Sequence, residues 1–221
     1  VGLFESQEEI DRSPIQFSEG NHSRLRPGDI KYRDLNGDGV IDDYDKMPIG
    51  FCDIPEITYG FGGAIEWKGF DVSIFFQGTA RVSLFEEGST IVPFSSGYKN
   101  NDGFLRGVME NRWTVDNPDP NARYPRTIRP SDALDNNNTK KSSFWVRNAA
   151  FLRLKNAEIG YTFPKRWMEK MAIQNLRLYV SGVNLLTWAP DVHLFDPDLG
   201  SGDGRKYPPT RVFNVGLNIN F

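Results

Sequence analysis

The chain has 221 residues, 26 basic against 29 acidic, for a net charge of -3, with a sequence pI near 5.5 and a mean hydropathy of -0.50. An acidic chain has no electrostatic footprint for nucleic acid, a single cysteine excludes an internal disulfide framework, and no apolar run reaches the roughly 18 residues of a membrane helix. A membrane β-barrel survives these exclusions, because alternating side chains halve its apparent hydropathy and long loops dilute it further.

The chain opens at Val1 without an initiator Met or a signal sequence and is read as a piece of something longer. Residues 1–29 are polar and aperiodic, carry Pro14 and Pro27, and read as loop with at most a short helical turn around residues 8–12.

Residues 34–45 hold the densest chemical signal. Asp34, Asn36, Asp38, Asp42 and Asp45 place oxygen-bearing side chains at loop positions one, three, five, nine and twelve, with Gly39 at six, Val40 at seven and the apolar Ile41 at eight. This is the spacing of an EF-hand-type calcium loop, with Gly39 for the sharp turn, the Val40 carbonyl as a backbone ligand, and hard carboxylate oxygens for a hard cation. Position twelve is Asp45 where Glu is usual, as in dockerin-like loops, so closure reaches with a shorter arm. The flanks do not read as two long helices, and the expectation is a static, structural calcium site. The bland counterpart is an Asx-rich turn without metal. Cys52 is expected as a small, half-buried side chain.

Residues 57–67 alternate, with Ile57, Tyr59, Phe61, Gly63, Ile65 and Trp67 on one face. Lys68 and Gly69 turn the chain, and residues 70–79 return with Phe70, Val72, Ile74 and Phe76 opposite Asp71, Ser73, Phe75 and Gln77, which predicts a hairpin. Gly60 and Gly62 fit a crowded inner face better than a nucleotide loop.

Residues 81–147 have no sustained period and read as one long loop, a length that is uncommon unless functional. Its aromatics, Phe94, Tyr98, Phe104, Trp113, Tyr124, Phe144 and Trp145, are interspersed with Arg106, Arg112, Arg123 and Arg126. Trp113, Arg112, Tyr124 and Arg126 are weak substrate-binding candidates by stacking and carboxylate pairing, against the plain alternative that the loop packs on itself.

Residues 150–163 form a strand whose phase slips near Asn156, the mark of a bulge. Residues 164–174 make a short amphipathic turn with Trp167, Glu169, Lys170 and Met171, and residues 175–188 climb back, losing phase at 182–184. A loop over 189–209 follows. Residues 210–221 then alternate cleanly, with Phe213, Val215, Leu217, Ile219 and Phe221 on one face and Asn214, Gly216, Asn218 and Asn220 on the other. Sorted by length, the long connections fall on one side of an up-and-down sheet and the short turns on the other, the asymmetry of an outer-membrane barrel.

No catalytic constellation emerges. His22 and His193 are the only histidines and neither has a ligand spacing; no nucleophile elbow, phosphate loop or Cys-His pairing is present. Neighbouring carboxylates such as Glu86 and Glu87 point apart on an extended chain, and an enzyme is not expected.

Several motifs together resemble the SusC/RagA type of TonB-dependent transporter of the Bacteroidetes outer membrane. They are Pro27-Gly-Asp-Ile-Lys-Tyr before the acidic loop, Gly69 to Gly78, Arg112-Trp-Thr, Tyr124-Pro-Arg, Ser143 to Asn156, Gly160-Tyr-Thr-Phe-Pro, Asn184-Leu-Leu-Thr-Trp, Tyr207-Pro-Pro-Thr-Arg and the terminal Phe221. The resemblance implies an all-β fold: the last five antiparallel strands of a large up-and-down transmembrane barrel of about 22 strands with a plugged lumen and long extracellular loops. It divides the chain into an extracellular loop (1–56) carrying the calcium loop, a barrel hairpin (57–80), a long extracellular loop (81–147) and three C-terminal strands (148–221) with a loop at 189–209. It further implies import of oligosaccharides or peptides, with the remaining strands and plug, a SusD-like surface lipoprotein, TonB and outer-membrane lipid as partners. The alternative is a soluble calcium-binding β-module, carbohydrate-binding or dockerin-like, although a dockerin wants two such loops.

Overall fold

The structure is a computed structural model that describes residues 2–16, 24–92, 105–128, 137–168 and 173–221. Among these lie β1 (Ile15–Gln16), β2 (Val40–Ile41), β3 (Ile57–Trp67), β4 (Phe70–Ala80), β5 (Ser83–Phe85), β6 (Val146–Asn148), β7 (Phe151–Thr162), β8 (Asn175–Trp188) and β9 (Val212–Asn220). The α-helices are short: α1 (Gln7–Arg12), α2 (Arg106–Glu110) and α3 (Lys165–Met168).

Five long strands form one antiparallel sheet in the order β3-β4-β7-β8-β9, each paired with its neighbour in sequence among the long strands. Lys68 and Gly69, both with positive φ (49° and 90°), make the two-residue turn of the first hairpin, the backbone that matches the twist of the strands it joins. The expected phase slips are bulges. Leu154 and Asn156 of β7 face Leu186 and Val183 of β8, so Lys155 is extra on one strand and residues 184 and 185 on the other; Asn184 takes the left-handed backbone there, with φ 54°.

Reading across the register separates the two faces. One row is Ile65, Val72, Ile159, Val180 and Val215, apolar on all five strands; the adjacent row is Ala64, Ser73, Glu158, Ser181 and Asn214. The apolar row is uncovered, with Ile65 75% and Val215 76% exposed. The expected crowding at the paired glycines is present: a Cβ on Gly60 would stand 2.9 Å from the Phe75 ring, and one on Gly62 would collide with the Ile74 carbonyl.

Contacts divide the chain into two units. The sheet unit comprises residues 51–83, 148–200 and 206–221; the other comprises 1–50, 84–147 and 201–205. The second unit has a core of its own, including Leu3, Phe4, Ile10, Leu25, Ile30, Ile41, Leu84, Val108, Trp113, Tyr124 and Trp145. The stretches expected as loops, 1–29 and 81–147, therefore contribute to a packed body. Their elements are two to six residues long, too short to show a period, and the contacts that order them are remote in sequence.

Cys52 corrects an expectation. It is exposed, not half-buried, because it sits in a stretch, residues 51–57, that is exposed throughout and that no element among the described residues covers. His193 is an exposed loop residue as expected. His22, Phe94, Tyr98, Phe104, Glu169, Lys170 and Met171 lie outside the described residues.

Candidate functional site

Two features carry functional chemistry: the two-faced sheet and the acidic loop over residues 34–45. On the sheet's apolar face, aromatics gather at both ends. At the short-turn end the Phe70 and Tyr161 rings meet at a tilt of 47° (4.6 Å between ring centroids), Tyr161 meets Phe163 edge-on (5.0 Å), Phe163 lies 6.1 Å from Trp167, and Lys68 sits 4.7 Å from the Trp67 ring. At the other end Phe61 stacks on Phe76 (5.2 Å), which lies 6.4 Å from Trp188. Rings of this kind flank the apolar band of a membrane barrel at its two interfaces. The 11 residues of β3 extend about 36 Å at about 3.3 Å each. Tilted by about 40°, they cover roughly 27 Å of height, close to the ~25 Å band of such barrels.

The opposite face is largely polar, with Phe75 among its side chains. Arg177 of β8 donates from Nε to Asp71 of β4 (3.0 Å), from Nη2 to the second Asp71 oxygen, and from Nη2 to Glu158 of β7 (2.5 Å). That guanidinium crosses over Gly160, where a Cβ would come within 2.6 Å of it, and a Cβ on Gly216 would strike the Tyr179 ring. A second inward arginine, Arg153, is fully buried against Asp196 and Asp198.

The acidic loop is folded around its own amides. Asp34 accepts from Gly37 N (2.5 Å) and Gly39 N (2.8 Å), Asp38 from Val40 N (2.8 Å), and Asp42 from Tyr44 N (2.7 Å). Asp45 accepts from Leu35 N (2.7 Å) and Asp42 N (2.9 Å). Gly39 has the positive φ, 83°, that position six demands. No three His, Cys, Asp or Glu side chains converge as a metal cluster among the described residues. The donor set nevertheless has the chemistry of a hard-cation site, four carboxylates with the Asn36 amide and the Val40 carbonyl, although Asp45 Oδ1 already accepts from both Leu35 N (2.7 Å) and Asn36 N (3.4 Å). The amides that Asp45 accepts, from Asp42 and then Leu35, hold its carboxyl below the usual range.

The weak substrate candidates are part of the second unit's packing. Trp113 and Tyr124 are buried at 6% and 1% exposure, and Trp113 N donates to the Tyr124 carbonyl (2.9 Å). Arg112 donates to the Met109 carbonyl (2.5 Å), and Arg126 is spent on Asp29, donating 2.8 Å from Nη2. Around them runs a buried polar web that sequence reasoning missed. Asp29 also accepts from Arg26 N (2.9 Å) and Asn138 Nδ2 (2.8 Å); Asn137 donates to Gln16 Oε1 (3.0 Å) and the Ile30 carbonyl (2.8 Å). Burial pushes the Asp29 carboxyl up while Arg126 pulls it down, and burial pushes the Tyr32 hydroxyl, which donates to the Asn137 carbonyl, up to about 12. Glu86, fully buried, accepts from Arg147 Nε at 2.8 Å. In the sequence this web shows only as the run Asn136-Asn137-Asn138. The unit's open cleft of about 480 Å³, lined in part by Ser6, Glu9, Arg12 and Lys31, has its charges already paired, Arg12 with Glu8 and Lys31 with Glu9.

No protein-family model matches the chain. TonB-dependent receptor P26 of Formosa agariphila is 30% identical over 235 residues, covering 100% of this chain and 22% of that protein. TonB-dependent receptor SusC of Bacteroides thetaiotaomicron is 26% identical over 205 residues, covering 89% and 18%. The chain matches part of a SusC/RagA-type TonB-dependent transporter. It spans about a fifth of the length of these receptors. Among solved structures, the RagAB peptide transporter superposes with a TM-score of 0.61 at 23% identity over 83% of this chain and 19% of that one, and the RagAB peptide importer in its open-open state with 0.58 at 22% over 86% and 20%. The five up-and-down strands are therefore the fold of a SusC/RagA-type barrel wall.

The Asp45 contacts set a pH response. A carboxyl whose folded pKa lies below the unfolded value of about 3.9 stabilises fully above that value, and the contribution fades as pH falls through the lower folded one. The amide shifts of Leu35 and Asp42, followed by NMR, should titrate with a midpoint below about 3.9; a midpoint at or above it would contradict the bonding described.

Proposed function

We propose that this chain is a barrel-wall segment of an importer in a Gram-negative outer membrane, taking up oligosaccharides or peptides with energy from TonB and a SusD-like lipoprotein as partner. The observation that carries the reading is the uncovered apolar face of a sheet whose other face is polar. In water a fully exposed Ile, Val or Phe forgoes about 1.5–3 kcal/mol, so one row of five, exposed by 42% to 76%, forfeits roughly 4–9 kcal/mol, a large part of a typical domain's net stability. In lipid the same face is at home and the polar face lines the lumen. The relatives' names support TonB-dependent import, and the RagAB complex is a peptide importer; cargo and lipoprotein partner are our extension to this chain. No step of the reading needs bond-making chemistry.

The open edges of β3 and β9 extend the argument. An unpaired backbone group in hydrocarbon costs several kcal/mol, so the sheet holds in a membrane only with further strands on both edges. The long connections, residues 81–147 and 189–209, fall at the outer rim in this reading. A soluble calcium module would instead bury its apolar rows.

For the acidic loop we infer a structural calcium site ligated by Asp34, Asn36, Asp38, Asp42, Asp45 and the Val40 carbonyl, supported by the spacing and by a loop already folded around Gly39. Calcium titration by calorimetry should give heat that vanishes in Asp34→Ala with Asp38→Ala; equal heat from the double variant would end the inference.

The transport reading is tested by uptake. Deleting the gene should abolish energy-dependent uptake of labelled oligosaccharides or peptides by whole cells, and the full-length gene should restore it. Uptake of both cargo classes at the parental rate after deletion would remove the importer reading.

A further inference from the structure

Arg153 belongs to the inward row, opposite Gln77 of β4 and Thr187 of β8, yet its side chain is only 2% exposed. What covers it is the connection after β8. Nη2 donates to Asp196 (2.6 Å), Nη1 reaches Asp198 (2.8 Å), Nε donates to Thr187 Oγ1 (3.0 Å), and the guanidinium lies 5.0 Å from the centre of the Phe151 ring. Asp196 also accepts from Asp198 N (3.0 Å) and caps the 3-10 turn Pro197–Leu199. The same connection is held at its start, where Asp191 accepts from Asn148 N (2.9 Å), and beyond the turn, where Lys206 Nζ donates to the Leu199 carbonyl (2.6 Å). Its own Val192, Pro197 and Leu199 are buried.

None of residues 191–200 joins the ladder of the sheet. Their hold on the inward face is side-chain chemistry centred on one planar, bidentate guanidinium, the group best suited to grip two carboxylates from a fixed position. A segment outside the ladder, held by this cluster together with its buried Val192, Pro197 and Leu199, opens more readily when the cluster is broken, while the hydrogen-bonded strands stay paired.

We propose that residues 191–200 are a strap folded over the inward face at the long-connection end of the sheet, that Arg153 is its latch, and that releasing the latch uncovers the wall beneath. That the uncovered wall borders a transport passage rests on the barrel reading above; the latch itself does not. Arg153 touches no cargo in this proposal and acts through the strap it positions.

The test uses the full-length receptor in membranes. Asp196→Asn with Asp198→Asn removes both charges while keeping shape and hydrogen-bonding groups, and Arg153→Lys keeps the charge but loses the fork. In the double variant, amide exchange across residues 191–200 should rise about tenfold or more, given what a broken buried ion pair costs, with the β7 and β8 amides unchanged; Arg153→Lys should fall between. A Gln77→Cys thiol should then react about tenfold faster with a bulky water-soluble maleimide once the latch is broken. Unchanged exchange in the strap overturns the latch, and faster exchange with unchanged thiol reactivity overturns the covering role. An Ile65→Cys thiol reacting with the aqueous reagent as fast as Gln77→Cys would refute the barrel wall alone, leaving the exchange result to judge the latch.

Discussion

The sheet's architecture depends on the backbone hydrogen-bond ladder that runs from β3 to β9 and on where it stops. Within the five strands every register pair follows the up-and-down order, and a two-residue turn built on Lys68 and Gly69 starts it. Among the described residues no strand joins the outer edges of β3 and β9, so the ladder ends there with unpaired groups. Those groups are tolerable in water and costly in hydrocarbon, so an apolar face that suits lipid and edges that do not occur in one object. The conflict disappears when further strands continue the ladder, which agrees with a chain spanning about a fifth of its relatives' length.

The two units solve the same problem by opposite means. The sheet turns its large apolar side chains outward and keeps its charges on the other face, where Arg177 ties Asp71 and Glu158 across three strands. The other unit turns Leu3, Phe4, Ile10 and Trp113 inward and satisfies its interior polar groups with Asp29, Gln16, Asn137 and Asn138. Buried polar groups are costly unless bonded, so these asparagines fix the path of short segments that have little regular structure to hold them. Glycine serves both units by letting neighbours close in: Gly28, with φ +88°, leaves room for the Trp113 ring, and Gly160 for the Arg177 guanidinium.

Most of the sheet was legible because a period of two survives in a single sequence. The alternation of Phe213 through Phe221, the turn at Lys68 and Gly69, and the phase slips at Asn156 and at 182–184 all correspond to observed strands, turn and bulges. The family likeness carried the step from a two-faced sheet to a barrel wall, which alternation alone leaves open between lipid and a packed interior. The packed second unit was not legible. Its staples join residues more than a hundred positions apart, Asn138 to Asp29 and Asn137 to Gln16, and no local pattern encodes such pairings. Trp113 and Tyr124 read as loop aromatics because the core they fill is assembled from remote pieces. Arg153 was hidden for a similar reason: its carboxylate partners lie 43 residues or more along the chain, past a strand.

The central claim is that the row of Ile65, Val72 and Val215 faces lipid while its neighbour of Ala64, Ser73 and Asn214 faces water. Nitroxide spin labels placed singly at these positions of the full-length receptor in membranes distinguish the faces by their relaxation partners. The account predicts that labels at 65, 72 and 215 relax with oxygen dissolved in the bilayer and that labels at 64, 73 and 214 relax with an aqueous nickel chelate. Labels at 65, 72 and 215 shielded from both reagents, as inside a sealed protein core, would contradict it.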